Sequence, residues 1–149
     1  MTTYNSANEM IWSDWRKLGF HYDWKDDPSR LVFSGSLTGL KRFVVHLDDY
    51  VSNPDNDMIS EHDHYGPYWL KVMTWSCPLE IDDKNIRGTI PELTALRDEL
   101  AANLKELSVG DSFTLDRHFR EGITTPLIFQ AKAADFDPAS LDMYMITNS

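Results

Sequence analysis

Apolar residues recur at two periods along this chain, and the switch between them occurs twice. Phe20, Tyr22 and Trp24 alternate with His21 and Asp23, the period of a strand with one buried face. The turn-forming run Lys25-Asp26-Asp27-Pro28-Ser29 then reverses the chain into a second strand, Leu31 to Ser34. After Gly35 the period lengthens, with Leu40, Phe43 and Leu47 at helical spacing. The same succession returns 53 residues later: Phe33-Ser34-Gly35-Ser36-Leu37 is matched by Ile86-Arg87-Gly88-Thr89-Ile90, and the second helix carries Leu93, Leu96 and Leu100.

Each copy thus predicts strand, turn, strand, helix. The first unit covers about 20–51 and the second about 67–107, the latter opening on a strand through Tyr68 to Trp75 and a turn near Cys77 and Pro78. Two ββα units predict an α+β fold: one antiparallel sheet with both helices on one face, where each Leu/Phe stripe is buried. A short N-terminal helix through Trp12, Trp15 and Leu18, capped by Ser6 or Asn8 and stopped by Gly19, precedes them. Strands at Ser112 to Leu115 and Pro126 to Lys132, within about 111–133, extend the sheet. The whole chain, 1–149, reads as one domain without a low-complexity linker.

A glycine followed by Ser or Thr between strand and helix could cradle a phosphate. No lysine follows Gly35 or Gly88 in the phosphate-loop pattern, so they read as tight turns, with Ser36 or Thr38 capping one helix and Thr89 the other. Pro91 fits the first turn of the second helix.

Composition narrows the function. Fourteen basic against twenty-four acidic residues give a net charge of −10, which disfavours nucleic acid or an anionic membrane as partner and favours something basic. The single cysteine, Cys77, excludes an intramolecular disulfide and makes a reducing cytoplasm the simplest location. The first nine residues lack a basic start and an apolar core of the secretory kind, and no apolar run approaches a membrane span. With five Trp, six Tyr and seven Phe, the chain has aromatic area for a core and an interface.

The long connection from about 52 to 67 is the one irregular stretch, and connections of that length in compact domains usually carry function or lack order. It and its approach hold Asp48, Asp49, Asp55, Asp57, Glu61 and Asp63, with Tyr65 and Tyr68 alongside and no Lys or Arg before Lys71. Carboxylates that steer an encounter, interleaved with rings that anchor it, suit a basic protein partner. Within the same stretch His62 and His64 form a His-x-His pair, whose imidazoles share one side of an extended segment. A third metal ligand would have to come from Asp55, Asp57, His21, His46 or His118. Asp55-Asn56-Asp57 opens like a calcium loop, but Ser60 stands where that loop turns on glycine and no glutamate closes it. No nucleophile elbow, phosphate-binding loop or dinucleotide fingerprint is present, so the sequence predicts no catalytic residue and no cofactor.

Tyr68-Trp69-Leu70-Lys71-Val72-Met73-Thr74-Trp75, followed by Ile86-Arg87-Gly88-Thr89-Ile90 and a Leu-spaced helix, resembles the core pattern of small bacterial immunity proteins paired with polymorphic toxins. The resemblance covers about a third of the chain. It implies a cytoplasmic protein without catalysis that binds a toxin domain and occludes its active site, with an acidic surface when that toxin is a nuclease. The expectation is therefore a toxin inhibitor whose partner-binding residues are the eight acids and tyrosines from Asp48 to Tyr68. A metal-dependent enzyme centred on His62 and His64, and a module that self-associates through an exposed sheet edge, are the alternatives.

Overall fold

The structure, a computed structural model, describes residues 6–115 and 125–142. It is an α+β fold of three α-helices and two four-stranded sheets. In chain order the elements are α1 (Ser6–Leu18), β1 (Phe20–Lys25), β2 (Arg30–Ser36), α2 (Leu37–Ser52), β3 (His62–Tyr65), β4 (Leu70–Thr74), β5 (Glu80–Ile81), β6 (Asn85–Gly88), α3 (Ile90–Glu106), β7 (Ser112–Leu115) and β8 (Leu127–Lys132). Short 3₁₀ turns at Pro54–Asn56 and Pro138–Leu141 complete the described chain.

The helices begin and end where local chemistry dictates. Ser36 caps α2, accepting a hydrogen bond from the Gly39 amide at 3.0 Å, and Thr89 caps α3 in the same way through Glu92. Thr38, the alternative cap, lies inside α2. Gly19 ends α1 with φ +93, a left-handed conformation suited to glycine, and its amide bonds back to the Trp15 carbonyl. A side chain at Gly39 would collide with the Gly19 carbonyl, so this glycine sets how closely α2 approaches the end of α1. Leu40, Phe43, Leu47 and Tyr50 of α2, with Leu93, Leu96, Leu100 and Leu104 of α3, are fully or almost fully buried. Each such side chain contributes roughly 1.5–3 kcal/mol.

The sheets differ from the expected single antiparallel sheet. The first has strand order β1-β2-β8-β7 and the second β3-β4-β6-β5. Both are mixed: the central strands, β2 with β8 and β4 with β6, run parallel, and the outer strands pair antiparallel. The strand through Tyr68–Trp75 is therefore not the hairpin partner of β6; that role falls to the two-residue β5. Nor do the C-terminal strands extend a single sheet: β8 lies between β2 and β7, Phe33 facing Phe129, and neither β7 nor β8 pairs with a strand of the second sheet.

The chain is better described as hairpin, helix, hairpin, read twice: β1β2-α2-β3β4 and β5β6-α3-β7β8. The leading hairpin of each copy pairs with the trailing hairpin of the other, so each sheet is built from both copies. The first strand of the first copy's trailing hairpin lies in the stretch that reads as an irregular connection, and the second, β4, in the segment expected as a strand. That first strand, His-Asp-His-Tyr, is a largely exposed edge strand with no apolar alternation.

Two buried tyrosine hydroxyls tie this hairpin to the rest. Tyr22 Oη, on β1, donates to the Tyr65 carbonyl at 2.6 Å and accepts from the amides of Tyr68 (3.2 Å) and Leu70 (3.4 Å). Burial raises its pKa to about 12, so it stays a neutral donor. At the other end Tyr50 Oη lies 2.6 Å from the Glu61 carbonyl and 2.7 Å from Thr74 Oγ1, which donates to the Asn56 carbonyl. The polar edge strand is thus held by backbone carbonyls rather than by its side chains.

Candidate functional site

The alternation of β4 decides what the second sheet shows to solvent. Leu70, Val72 and Thr74 point into the core and are almost fully buried. Lys71 and Met73 occupy the opposite face. In register beside them stand His64 and His62 of β3 on one flank and Asn85 and Arg87 of β6 on the other. Trp75 continues this outward row at the far end with 39% of its surface exposed. At the near end the Trp69 ring lies 6.1 Å from that of His64 and is 69% exposed. Of eight large hydrophobic side chains exposed among the described residues, five fall between Met58 and Trp75. Exposed apolar side chains are therefore concentrated in one stretch of the chain, and Trp69 and Trp75 bound the outward row of β4.

Trp69 is held there under strain. Its φ is +59, a left-handed conformation that costs a bulky side chain roughly 1–2 kcal/mol. The cause is visible on both sides of it: the Tyr22 hydroxyl accepts the amides of Tyr68 and Leu70, fixing the backbone before and after Trp69. Gly66, with φ +75, packs against the same Tyr22 ring. The turn is thus over-determined from the core, and its consequence is an indole aimed at water.

The acidic residues do not form one cluster. Asp55, Asp57, Glu61 and Asp63 are all exposed along the 3₁₀ turn, the following loop and β3. Asp48 is differently placed: it projects from α2 and pairs with Arg97 of α3 at 2.8 Å. Asp49, also on α2, and Asp63, which sits opposite Val72, face the helix side of the β3 edge, away from His62 and His64. Between those two acids the His46 ring stacks on Tyr65 at 4.8 Å. Burial lowers the His46 pKa and pushes that of Tyr65 well above its ordinary value, with the Asp63 charge adding to the latter. Tyr68 is 46% exposed, but its hydroxyl donates to the buried Asp142 at 2.7 Å. Trp15 Nε1 reaches the same carboxylate oxygen at 2.9 Å. Tyr68 is therefore a framework residue with one wet edge, while its neighbour Trp69 is the more exposed ring.

No family model, curated protein or solved structure matches this chain. Its surface chemistry must stand by itself.

For metal chemistry, the structure brings His62 and His64 together with ring centroids 4.8 Å apart. Among the described residues no group of three His, Cys, Asp or Glu gathers around a common point. His21 is buried under Trp15 on the first sheet, His46 stacks on Tyr65, and His118 lies outside the described residues. Cys77 is half-buried, and burial pushes its thiol pKa up, the opposite of what an attacking thiolate requires. No described helix is long and apolar enough to cross a membrane.

Sequence reasoning missed Trp69 and Trp75 as surface groups because both rows of β4 are apolar-rich. Trp, Met and Trp alternate with Leu, Val and Thr. The signal that separates the rows is Lys71, whose charge marks the odd-numbered face as the wet one.

Proposed function

We propose that the protein is a binding protein that captures a basic protein domain on the outward face of the second sheet. The observation that carries this reading is Trp69, a 69% exposed indole on a backbone held at φ +59 from the core. Strain of this kind is usually retained at sites where the exposed group does something. Trp69, Met73 and Trp75 supply a rigid apolar centre of the type that dominates interface energetics. Asp55, Asp57 and Glu61, with Asp63 on the other side of the β3 edge, form an acidic rim that accelerates and orients approach of a cationic partner. The net charge of −10 extends that attraction beyond the contact itself.

In its most concrete form the protein is a cytoplasmic immunity protein. It occludes a nuclease toxin by presenting carboxylates to the cationic groups that otherwise hold nucleic-acid phosphate. Inhibition by occlusion asks for no catalytic residue and no cofactor, only area and charge. The test is affinity capture of the partner by the wild type, the Trp69→Ala/Trp75→Ala variant and a variant with the four rim acids changed to amides. The proposal predicts a basic partner whose retention is lost with the two tryptophans and becomes salt-insensitive with the amides. Retention unchanged in both variants would overturn it.

A further inference from the structure

The first sheet also has an outward face, and its chemistry is the inverse of the protein's overall charge. One row across it holds His21, Ser34 and Gln130, and the next holds Asp23, Val32 and Ile128. A groove of about 310 Å³ runs along this face, bounded on one side by Leu141. Three cations line it, Lys25, Arg30 and Lys132, against a single acid, Asp23, which already pairs with Lys25 at 2.8 Å. In a chain with 14 basic and 24 acidic residues this local excess of positive charge runs against composition.

The cations stand at opposite ends. Lys25 pairs with Arg30 at one end of β2, while Lys132 pairs with Ser36 at the other. The two positions are six steps apart along β2, about 20 Å at the usual rise. Arg30 Nη1 donates to the Asp26 and Pro28 carbonyls at 3.4 and 2.8 Å and so stays at its end, while the long stems of Lys25 and Lys132 can bring their ammonium groups toward a small extended molecule lying between them. Between them the floor is apolar at Val32 and Ile128 and then polar at His21, Ser34 and Gln130. Ser34 Oγ donates to Gln130 Oε1 at 3.1 Å, which orients the Gln130 amide and leaves its NH₂ as the donor of that pair. Burial lowers the His21 pKa, so the imidazole is neutral at pH 7 and the charge of the groove resides in its ends.

The geometry points to a second binding site here, for a small elongated molecule carrying a carboxylate or phosphate at each end. Each end meets a lysine, Lys25 or Lys132, and the middle meets a half-apolar floor with one amide donor. This site is separate from the docking face of the second sheet and stands whether or not that face binds a protein.

The test is a titration of the ¹⁵N-labelled protein with suberate, an extended dicarboxylate, and in parallel with inorganic phosphate as a lone anion. Suberate is expected to shift the amides of Ser34 and Lys132 and the Gln130 side-chain NH₂ along a saturating curve. Phosphate should move the ends only and bind more weakly. Lys25→Gln/Lys132→Gln should weaken suberate roughly tenfold or more, the loss expected when charge-assisted contacts become neutral. Asp23→Asn, which frees Lys25, should tighten it. An unshifted Phe33 amide in each variant confirms that the sheet is intact. Absence of saturable shifts at Ser34 and Gln130, an equal response to phosphate and suberate, or an unchanged response in the double variant would each overturn the assignment.

Discussion

Phe33 and Ile86 hold equivalent places in the two copies, each on a central strand paired in parallel with a strand from the other copy. Both are fully buried, as are Leu40 and Leu93, Phe43 and Leu96, and Leu47 and Leu100. One residue along, the equivalence ends. Ser34 faces outward over a groove with cationic ends, whereas Arg87 faces outward beside Met73 in a row bounded by two tryptophans. The two sheets share a topology and an inward chemistry because close packing admits few alternatives there. Their outward faces are under no such constraint, and that is where they diverge. In a fold built twice, the difference between the copies is the better guide to function than the likeness.

The predictions test that contrast. The largest effect falls on the second sheet's face: Trp69→Ala/Trp75→Ala should weaken partner binding by about 4 kcal/mol, roughly a thousandfold, as paired hot-spot truncations do. Calorimetry on the purified complex measures it, and Lys132→Gln on the first sheet should leave the same affinity untouched. Next, Tyr22→Phe should cost about 2–3 kcal/mol of stability in urea titration, because the Tyr65 carbonyl and the Tyr68 and Leu70 amides lose a buried partner. Trp69→Gly should move the other way, gaining about 0.5–1 kcal/mol by relieving the left-handed backbone while abolishing binding. A variant that is both more stable and inactive would separate function from packing at a single position.

Smaller still, Asp48→Asn should change stability by less than about 0.5 kcal/mol, since its pair with Arg97 is solvent-exposed. It should change partner binding no more than that, because Asp48 projects from α2 toward α3 and not toward the sheet face. The pH profile carries a defined sign. Burial holds His21 and His46 below their ordinary 6.5 in the folded state, so the unfolded chain binds more protons as pH falls through that value. Stability should therefore rise with pH across the interval from the depressed folded values up to about 6.5 and level off above it. His21→Gln should flatten the slope in denaturant titrations at successive pH values.

The sequence carried the helices and the core almost completely. The 3.6-residue spacing of Leu40, Phe43 and Leu47, and of Leu93, Leu96 and Leu100, is a local property, and Ser36 and Thr89 mark the starts by side-chain chemistry. Strand partnership is not local. Nothing in Leu31–Ser36 states that β8, about ninety residues later, will lie parallel to it, and β5 is too short to leave a pattern. The site was legible in part for a related reason. The acids from Asp55 to Asp63 are exposed as their composition suggests, but Asp48 is engaged by a residue from another helix, which only the fold reveals. Tyr68 reads as an anchor from its type, yet Asp142, far along the chain, holds its hydroxyl. Trp69 carries no sequence mark of exposure among its apolar neighbours, and a hydroxyl on β1 turns it outward.

The most direct test is amide hydrogen exchange on the complex captured by the wild-type protein, compared with the protein alone. Protection confined to residues 58–75 and β6, with β1, β2 and β8 unchanged, is the predicted result. Protection centred on the first sheet instead, or capture of the same partner by Trp69→Ala/Trp75→Ala at undiminished affinity, would contradict the assignment of the second sheet as the docking face.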